Sequence, residues 1–406
     1  MEKFQLLISS GPLPEGNFYF GCQLLHRSPL AARSISTIER KKDIQTQQRC
    51  LSLPLGEPGR AAGRAGLGRE PNWRRVGRCC EDHVAVVVAV LRVAAAVLWR
   101  LWRWQREQQM VGQLHDRFVL ITGCDSGFGY LLATKLDQRG LRVLAACLTE
   151  RGAERLRQEA SGRLQTVLLD VTRPESVRAM AQWAQETVGE RGLWGLVNNA
   201  GIAMPVAPNE WLTKEDFVKV LDVNLLGLID VTLTLLPLVK RARGRIVNVS
   251  SVLGRLSLFG GGYCVSKFGV EAFSDSLRRE LFPFGVKVAI IEPGNFRTQI
   301  LPPENVHTLV ATIWSRAPPG ARESYGDVYM ESYWRGLERL ISGGQTDLAP
   351  VYGSMTHALT AVHPRSRYVP GRDARFIYLP LSYLPTSLSD LLLRGFLSNM
   401  RPAQAN

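Results

Sequence analysis

The chain has 406 residues, 45% of them hydrophobic and 21% charged, with 50 Lys and Arg against 36 Asp and Glu and a formal net charge of +14. That is a globular composition, neither disordered nor collagenous, and it allows a sizeable core. Seven cysteines at irregular spacing argue against a disulfide framework, and no HExxH or Cys–His set with ligand spacing points to a metal.

Residues 1–83 hold 13 Lys and Arg against 8 Asp and Glu. They are rich in Gly, Pro, Ser and Arg and sustain no helical or strand period, so they read as a disordered extension. Residues 84–99, VAVVVAVLRVAAAVLW, are apolar except for Arg92. As a helix they reach about 24 Å, short of a hydrocarbon core of ~30 Å. Leu101, Trp102 and Trp104 extend the run into an aromatic interface. Arg92 weighs against this, because a mid-membrane Arg costs about 2.5–3.5 kcal/mol on insertion scales. The competing reading is a buried soluble helix; the aromatic end favours a membrane anchor over 84–104. The Arg clusters at 74–78 and 100–106 flank this run, which is membrane-flanking charge rather than a nucleic-acid-binding face. They nearly balance, so orientation stays open.

From Arg117 short apolar runs alternate with helical stretches. FVLITG (118–123), RVLAACL (142–148), TVLLDV (166–171), GLVNNAG (195–201), RIVNVSS (245–251) and VKVAIIEPG (286–294) read as buried strands. The alternation predicts an α/β fold, a doubly wound Rossmann-type parallel sheet with its ligand crevice at the strand C-termini.

Thr122-Gly123-Cys124-Asp125-Ser126-Gly127-Phe128-Gly129 follows the first strand and opens a helix. Its glycines permit a tight turn and close approach to a pyrophosphate, and the helix N-terminus supplies amide donors. Gly123, Ser126, Gly127, Phe128 and Gly129 are therefore candidate cofactor contacts. The second strand ends Ala146-Cys147-Leu148-Thr149, with neither the acidic residue that grips a ribose hydroxyl nor an Arg for a 2′-phosphate. The residues leave NAD against NADP open here.

Tyr263 and Lys267 lie four apart at the start of a long helical segment, on one helix face. A free Tyr is a poor base at neutral pH, and an adjacent ammonium stabilises its phenolate. Such a Tyr accepts a proton from an alcohol. Ser251, ending the preceding strand, is placed to hydrogen-bond the substrate oxygen. A YxxxK alone arises by chance on helix surfaces; its conjunction with Ser251, the Gly turn and Asn198-Asn199-Ala200-Gly201 does not.

These motifs resemble the short-chain dehydrogenase/reductase family from about Arg117 to Tyr368. ITGCDSGFG, LLDVT, GLWGLVNNAG, GGGYCVSKFGVEAFSDSLRREL and VKVAIIEPGNFRT narrow the resemblance to the microsomal retinol dehydrogenase and 3α-hydroxysteroid dehydrogenase branch. The resemblance implies Tyr263 as proton acceptor and Lys267 as its partner and ribose ligand. It implies Ser251, rather than Ser250, as the residue that orients the carbinol, and Asn224 as holder of a relay water. Asp170 would bond the adenine, and Asn198, Ala200 and Gly201 would line the adenosine and ribose. Pro293, Gly294 and Thr298 would hold the carboxamide. The branch implies NAD and oxidation, with NADPH-dependent reduction as the alternative; it also implies an endoplasmic reticulum membrane location, and a homo-oligomer by analogy. The remaining rival is an inactive cofactor-binding membrane scaffold.

The catalytic domain is thus expected over 117–298, and residues 299–374 complete it as a cover for the substrate. Trp314, Tyr325, Tyr329, Tyr333 and Trp334 suit an apolar retinoid or steroid pocket or ordinary helix packing. His307, His357 and His363 match no motif and read as ordinary surface or packing residues. The apolar tail 375–406 is broken by Pro380 and Pro385, so it is no straight spanning helix and is expected to touch a membrane surface.

Overall fold

In a computed structural model of the chain, residues 73–300, 303–397 and 402–404 are described. The extension expected at 1–83 lies outside the described residues as far as residue 72.

The strands β1 (Phe118–Thr122), β2 (Arg142–Cys147), β3 (Leu164–Leu168), β4 (Gly195–Asn198), β5 (Arg245–Val249), β6 (Lys287–Ile291) and β7 (Arg367–Tyr368) form one sheet in the order β3-β2-β1-β4-β5-β6-β7. Every pairing is parallel. The central strands are buried on both faces, which is why they read as unbroken apolar runs rather than alternating ones. Successive side chains serve opposite cores. Val119 and Ile121 pack one way with Leu132 and Leu136 of a helix α2 (Gly127–Gln138) and Met355 of the later helix Ala349–Thr360. Phe118 and Leu120 pack the other way with Met180, Leu235 and Leu277.

The first face also takes α3 (Glu150–Glu159), through Ala153 and Leu156. After it in the chain come α4 (Pro174–Val188), α5 (Lys214–Leu221), a π-helical turn (Asp222–Gly227), α6 (Leu228–Arg241) and α7 (Gly262–Glu280), of which α4, α6 and α7 supply the second face. The stretch Lys214–Arg241 is long and apolar enough to cross a bilayer by length and composition. It instead buries Val220, Leu228, Val231 and Leu235 within the fold. A different helix, α1 (Trp73–Glu107), leaves Val86, Leu91, Val93, Leu98, Trp99, Trp102 and Trp104 exposed. Its last residue is tied to the body: Arg103 and Arg365 both donate to the Glu107 carboxylate, and Val111 N donates to Thr360 O at 2.8 Å.

Two departures from the sequence expectation matter for the site. The third strand runs over 164–168, not 166–171, because β3 is an edge whose pairing with β2 extends back to Leu164. Asp170 then ends the run by accepting from the Thr172 amide and hydroxyl at 3.0 and 2.7 Å. Residues 349–368 also do not cover a pocket. The helix Ala349–Thr360 packs beneath the sheet, and β7 extends the sheet beyond β6. Between β6 and that helix in the chain lie α8 (Val306–Arg316) and α9 (Pro319–Ser342). There Trp314, Tyr325, Tyr329 and Tyr333 surround Trp211 at ring separations of 4.6–5.9 Å. With Ala349–Thr360 numbered α10, a short turn Leu379–Leu381 is α11 and Thr386–Leu397 is α12. In this last segment polarity is inverted: Ser389 is buried while Leu388, Leu391 and Leu392 face outward.

Candidate active site

The strand order reverses between β1 and β4, and a cleft of about 520 Å³ opens there at the strand C-termini. Gly123, Ser126, Gly127, Phe128, Asp170, Ala200, Gly201, Ser251, Tyr263, Lys267, Pro293, Gly294 and Thr298 all line it. Residues spread over 176 positions of sequence are thus gathered by one sheet edge, since each strand delivers its following turn to the same side.

The Gly-rich turn is set by backbone contacts. Gly123 has φ +70°, and a Cβ there would sit 2.8 Å from Ala200 Cα. A Cβ at Gly129 would meet Gly123 O at 2.3 Å. Thr122 Oγ1 accepts from the amides of Asn199 and Ala200, each at 3.0 Å, and Asn199 Nδ2 donates to the carbonyls of Thr122 and Gly123. This fastens the β1 turn to the β4 loop. Such a glycine turn at the N-terminus of α2 fits a dinucleotide pyrophosphate.

Asn198 departs from its expected place. Its Nδ2 donates to Thr232 Oγ1 and Asn248 Oδ1, both at 2.8 Å, and the residue is buried in the core. A strand residue and its successor point to opposite sides, so it is Asn199 that reaches the cleft. Asp125 was not singled out from sequence either. Its carboxylate accepts from Leu148 N, Thr149 N and Thr149 Oγ1 at 2.8, 2.9 and 2.6 Å. The acidic group missing from the end of β2 is thus supplied by the turn after β1. Gly152 leaves room for it, since a Cβ there would lie 2.5 Å from Asp125 Oδ1. The signal was present within the Gly-rich turn, but nothing local says which strand end it reaches.

The catalytic candidates converge. Ser251 sits two residues beyond β5 rather than within it, heading a 3₁₀ turn (Val252–Gly254) where its Oγ accepts from Leu253 N. Its hydroxyl is the polar group that favours the ionised Tyr263 phenol. Ser250 is committed elsewhere: its Oγ donates to Lys267 O, and a Cβ on Gly254 would meet it at 2.7 Å. Tyr263 and Lys267 share the first turns of α7, with Lys267 Nζ 5.7 Å from the Tyr263 ring centroid and donating to Val249 O at 3.0 Å. Burial pushes the phenol up to about 12, and the Ser251 hydroxyl works against that. Burial likewise pulls the ammonium down to about 8, opposed by the Glu271 charge. Desolvation thus dominates at Tyr263, and the drop expected from an adjacent ammonium does not appear.

Asn224 lies in the π-helical turn, with Oδ1 accepting from Ile202 N at 2.8 Å and Nδ2 donating to Ile202 O and Ser266 Oγ. Its side chain pins the loop after β4 to α7. Trp314, Tyr325, Tyr329, Tyr333 and Trp334 are not among the described residues lining the cleft; they form the aromatic packing cluster instead.

Comparison with known proteins agrees with this geometry. The short chain dehydrogenase family profile matches residues 117–308. Retinol dehydrogenase 16 of Homo sapiens is 61% identical over 296 residues, which are 73% of this chain and 93% of that protein. Retinol dehydrogenase 7 of Rattus norvegicus is 57% identical over 313 residues, 77% of this chain and 98% of that one. Short-chain dehydrogenase/reductase family 9C member 7 of Homo sapiens is 55% identical over 305 residues, 75% and 97% of the two chains. Among solved structures, a short-chain dehydrogenase from Streptomyces avermitilis superposes with a TM-score of 0.54 at 26% identity, covering 70% of this chain and 96% of its own. With more than half of the aligned residues shared over almost the full length of these relatives, the chain is an enzyme and belongs to the short-chain dehydrogenase/reductase family, in its retinol dehydrogenase branch.

Proposed function

We propose that this oxidoreductase oxidises the hydroxyl of retinol and/or 3α-hydroxysteroids to the carbonyl, using NAD. The family's cofactor is a nicotinamide dinucleotide. The observation that carries the reading is the Ser251–Tyr263–Lys267 set on the wall of the nucleotide cleft. A bound nicotinamide would supply the hydride acceptor for the carbinol carbon. Ser251 donates to the carbinol oxygen and holds it against Tyr263, which takes the hydroxyl proton; Lys267 stabilises the resulting phenolate and binds the ribose hydroxyls. Asn224, whose side chain is committed to Ile202 and Ser266, would position the relay water only indirectly, by holding the loop after β4. Asp170, Ala200 and Gly201 would hold the adenosine side, and Pro293, Gly294 and Thr298 the carboxamide.

Asp125 supports NAD over NADP. Its carboxylate lies at the end of β2, where a ribose 2′-hydroxyl binds and a 2′-phosphate would be repelled. The names of the relatives support retinol, while the sequence leaves the steroid equally open. A membrane site suits these apolar substrates. The exposed apolar surface of α1 and the outward leucines of α12 support anchoring at 84–104 and surface contact by 375–406, in the endoplasmic reticulum membrane. The exposed Val265 and Phe268 of α7 support a homo-oligomer through that helix.

The test is initial rates on purified membranes, with all-trans-retinol and androsterone each offered NAD⁺ and NADP⁺ and Tyr263→Phe as the blank. Faster NAD⁺ turnover of either alcohol is expected. Faster NADPH-dependent reduction of retinal or a ketosteroid would reverse the direction, and cofactor binding without any turnover would favour a scaffold. Deleting 375–406 and finding liposome binding unchanged would remove the tail from the membrane assignment.

A further inference from the structure

Below the catalytic pair lies an ion cluster that the reaction as described does not use. Glu271 is one helical turn beyond Lys267 on α7, and both are buried. Glu292, at the end of β6, is only 1% exposed. Two buried carboxylates this close cannot both stay ionised without a cation. Arg367 of β7 supplies it, donating through NH1 to both Glu271 and Glu292 and through NH2 to Asp275 at 3.0 Å. Arg255 gives Glu292 a second partner at 3.3 Å and also donates to Tyr383 OH.

The charged and titratable groups facing Glu271 are thus known from each side. On α7 itself they are Lys267 and Asp275, the latter also bridged to Arg278 and Arg279. From the turn after β5 come Arg255 and the Ser250 hydroxyl, from β6 Glu292, and from β7 Arg367. Glu271 Oε1 has no hydrogen-bond donor of its own beyond the flanking Ser250, whose proton goes to Lys267 O. Its charge is therefore incompletely neutralised by Arg367 and is felt by Lys267.

We infer that Glu271, held by Arg367 of the short edge strand β7, is a positioning residue for Lys267 that keeps its buried ammonium charged and so sets the pH at which Tyr263 can accept a proton. This rests on Tyr263 being the proton acceptor. Burial alone favours a neutral lysine, and the Glu271 charge is the influence opposing it. Burial and Glu292 favour a protonated Glu271, and Arg367 opposes that in turn. The sign follows. Removing the Glu271 charge lowers the Lys267 pKa further, so the lysine is neutral over more of the working range. Tyr263 then loses its phenolate partner and ionises only at higher pH.

The experiment is the pH profile of kcat/KM for NAD⁺-dependent oxidation, compared for wild type, Glu271→Gln, Glu271→Asp and Arg367→Gln in the full chain. The rising limb is expected to move up by about one pH unit in Glu271→Gln, a loss of about tenfold on that limb. Glu271→Asp, which keeps the charge, recovers most of the shift. Arg367→Gln moves the limb the same way, and the double variant moves it no further than either single one. Titrating tyrosinate absorbance, as wild type minus Tyr263→Phe, reports the phenol directly even if neither alcohol proves to be a substrate, and so separates failure of this inference from failure of the substrate assignment. NAD⁺ binding by fluorescence quenching checks that the cleft is intact. A limb and a tyrosinate titration unmoved in Glu271→Gln, with NAD⁺ still bound, would overturn the inference. If Glu271→Gln does not fold, an unmoved profile in folded Arg367→Gln does the same.

Discussion

The two walls of the cleft are built on different principles. The wall from β1 to β3 relies on backbone: a positive-φ glycine, two amides on Thr122 Oγ1 and a carboxylate that fastens one strand end to another. The wall from β5 to β7 relies on buried charge, with Lys267, Glu271, Glu292, Arg255 and Arg367 drawn from four separate segments. The first wall tolerates little change in shape. The second tolerates shape better, and its chemistry depends on which groups are ionised.

The comparison breaks first at Tyr263. Tyr263→Phe is expected to lower kcat by at least about 10³-fold while NAD⁺ affinity changes little, measured by initial rates and quenching titration. On the backbone wall, Gly129→Ala puts a methyl group 2.3 Å from Gly123 O. It should cost about 1–3 kcal/mol of stability and weaken NAD⁺ binding together, seen in thermal melts with and without nucleotide. Asn198→Ala removes the donor to Thr232 Oγ1 and Asn248 Oδ1, leaving the buried Asn248 Oδ1 unsatisfied. It should cost about 1–3 kcal/mol with an unchanged KM for NAD⁺, and a raised KM instead would return Asn198 to the cleft. The smallest effect sharpens the cofactor reading. Asp125→Asn should lower the NAD⁺/NADP⁺ ratio of kcat/KM by about tenfold, equivalent to about 1.4 kcal/mol.

How legible each wall was follows from the range of its interactions. The Gly turn and the Tyr263–Lys267 pair are local patterns within one turn or one helix, so spacing alone placed them at the cleft. The strands were legible because a parallel sheet covered on both faces demands unbroken apolar runs. The edge of the sheet was not. β3 was displaced by two residues because an edge strand need not be apolar on its open side, and β7, only two residues long and bearing Arg367, carries no strand signal at all. The aromatic residues of α8 and α9 were ambiguous between pocket and packing, and the fold gathers them around Trp211.

Sequence alone was enough for the fold class, the nucleotide cleft and the Ser251, Tyr263 and Lys267 set, because each depends on neighbours in the chain or on a strand's uniform burial. Only tertiary structure decided that Asn199 rather than Asn198 faces the cleft, that Asp125 serves the end of β2, and that Arg367 sits between Glu271 and Glu292. Those choices turn on contacts between segments 23 to 96 residues apart. Packing and desolvation, which no local pattern records, select among such contacts.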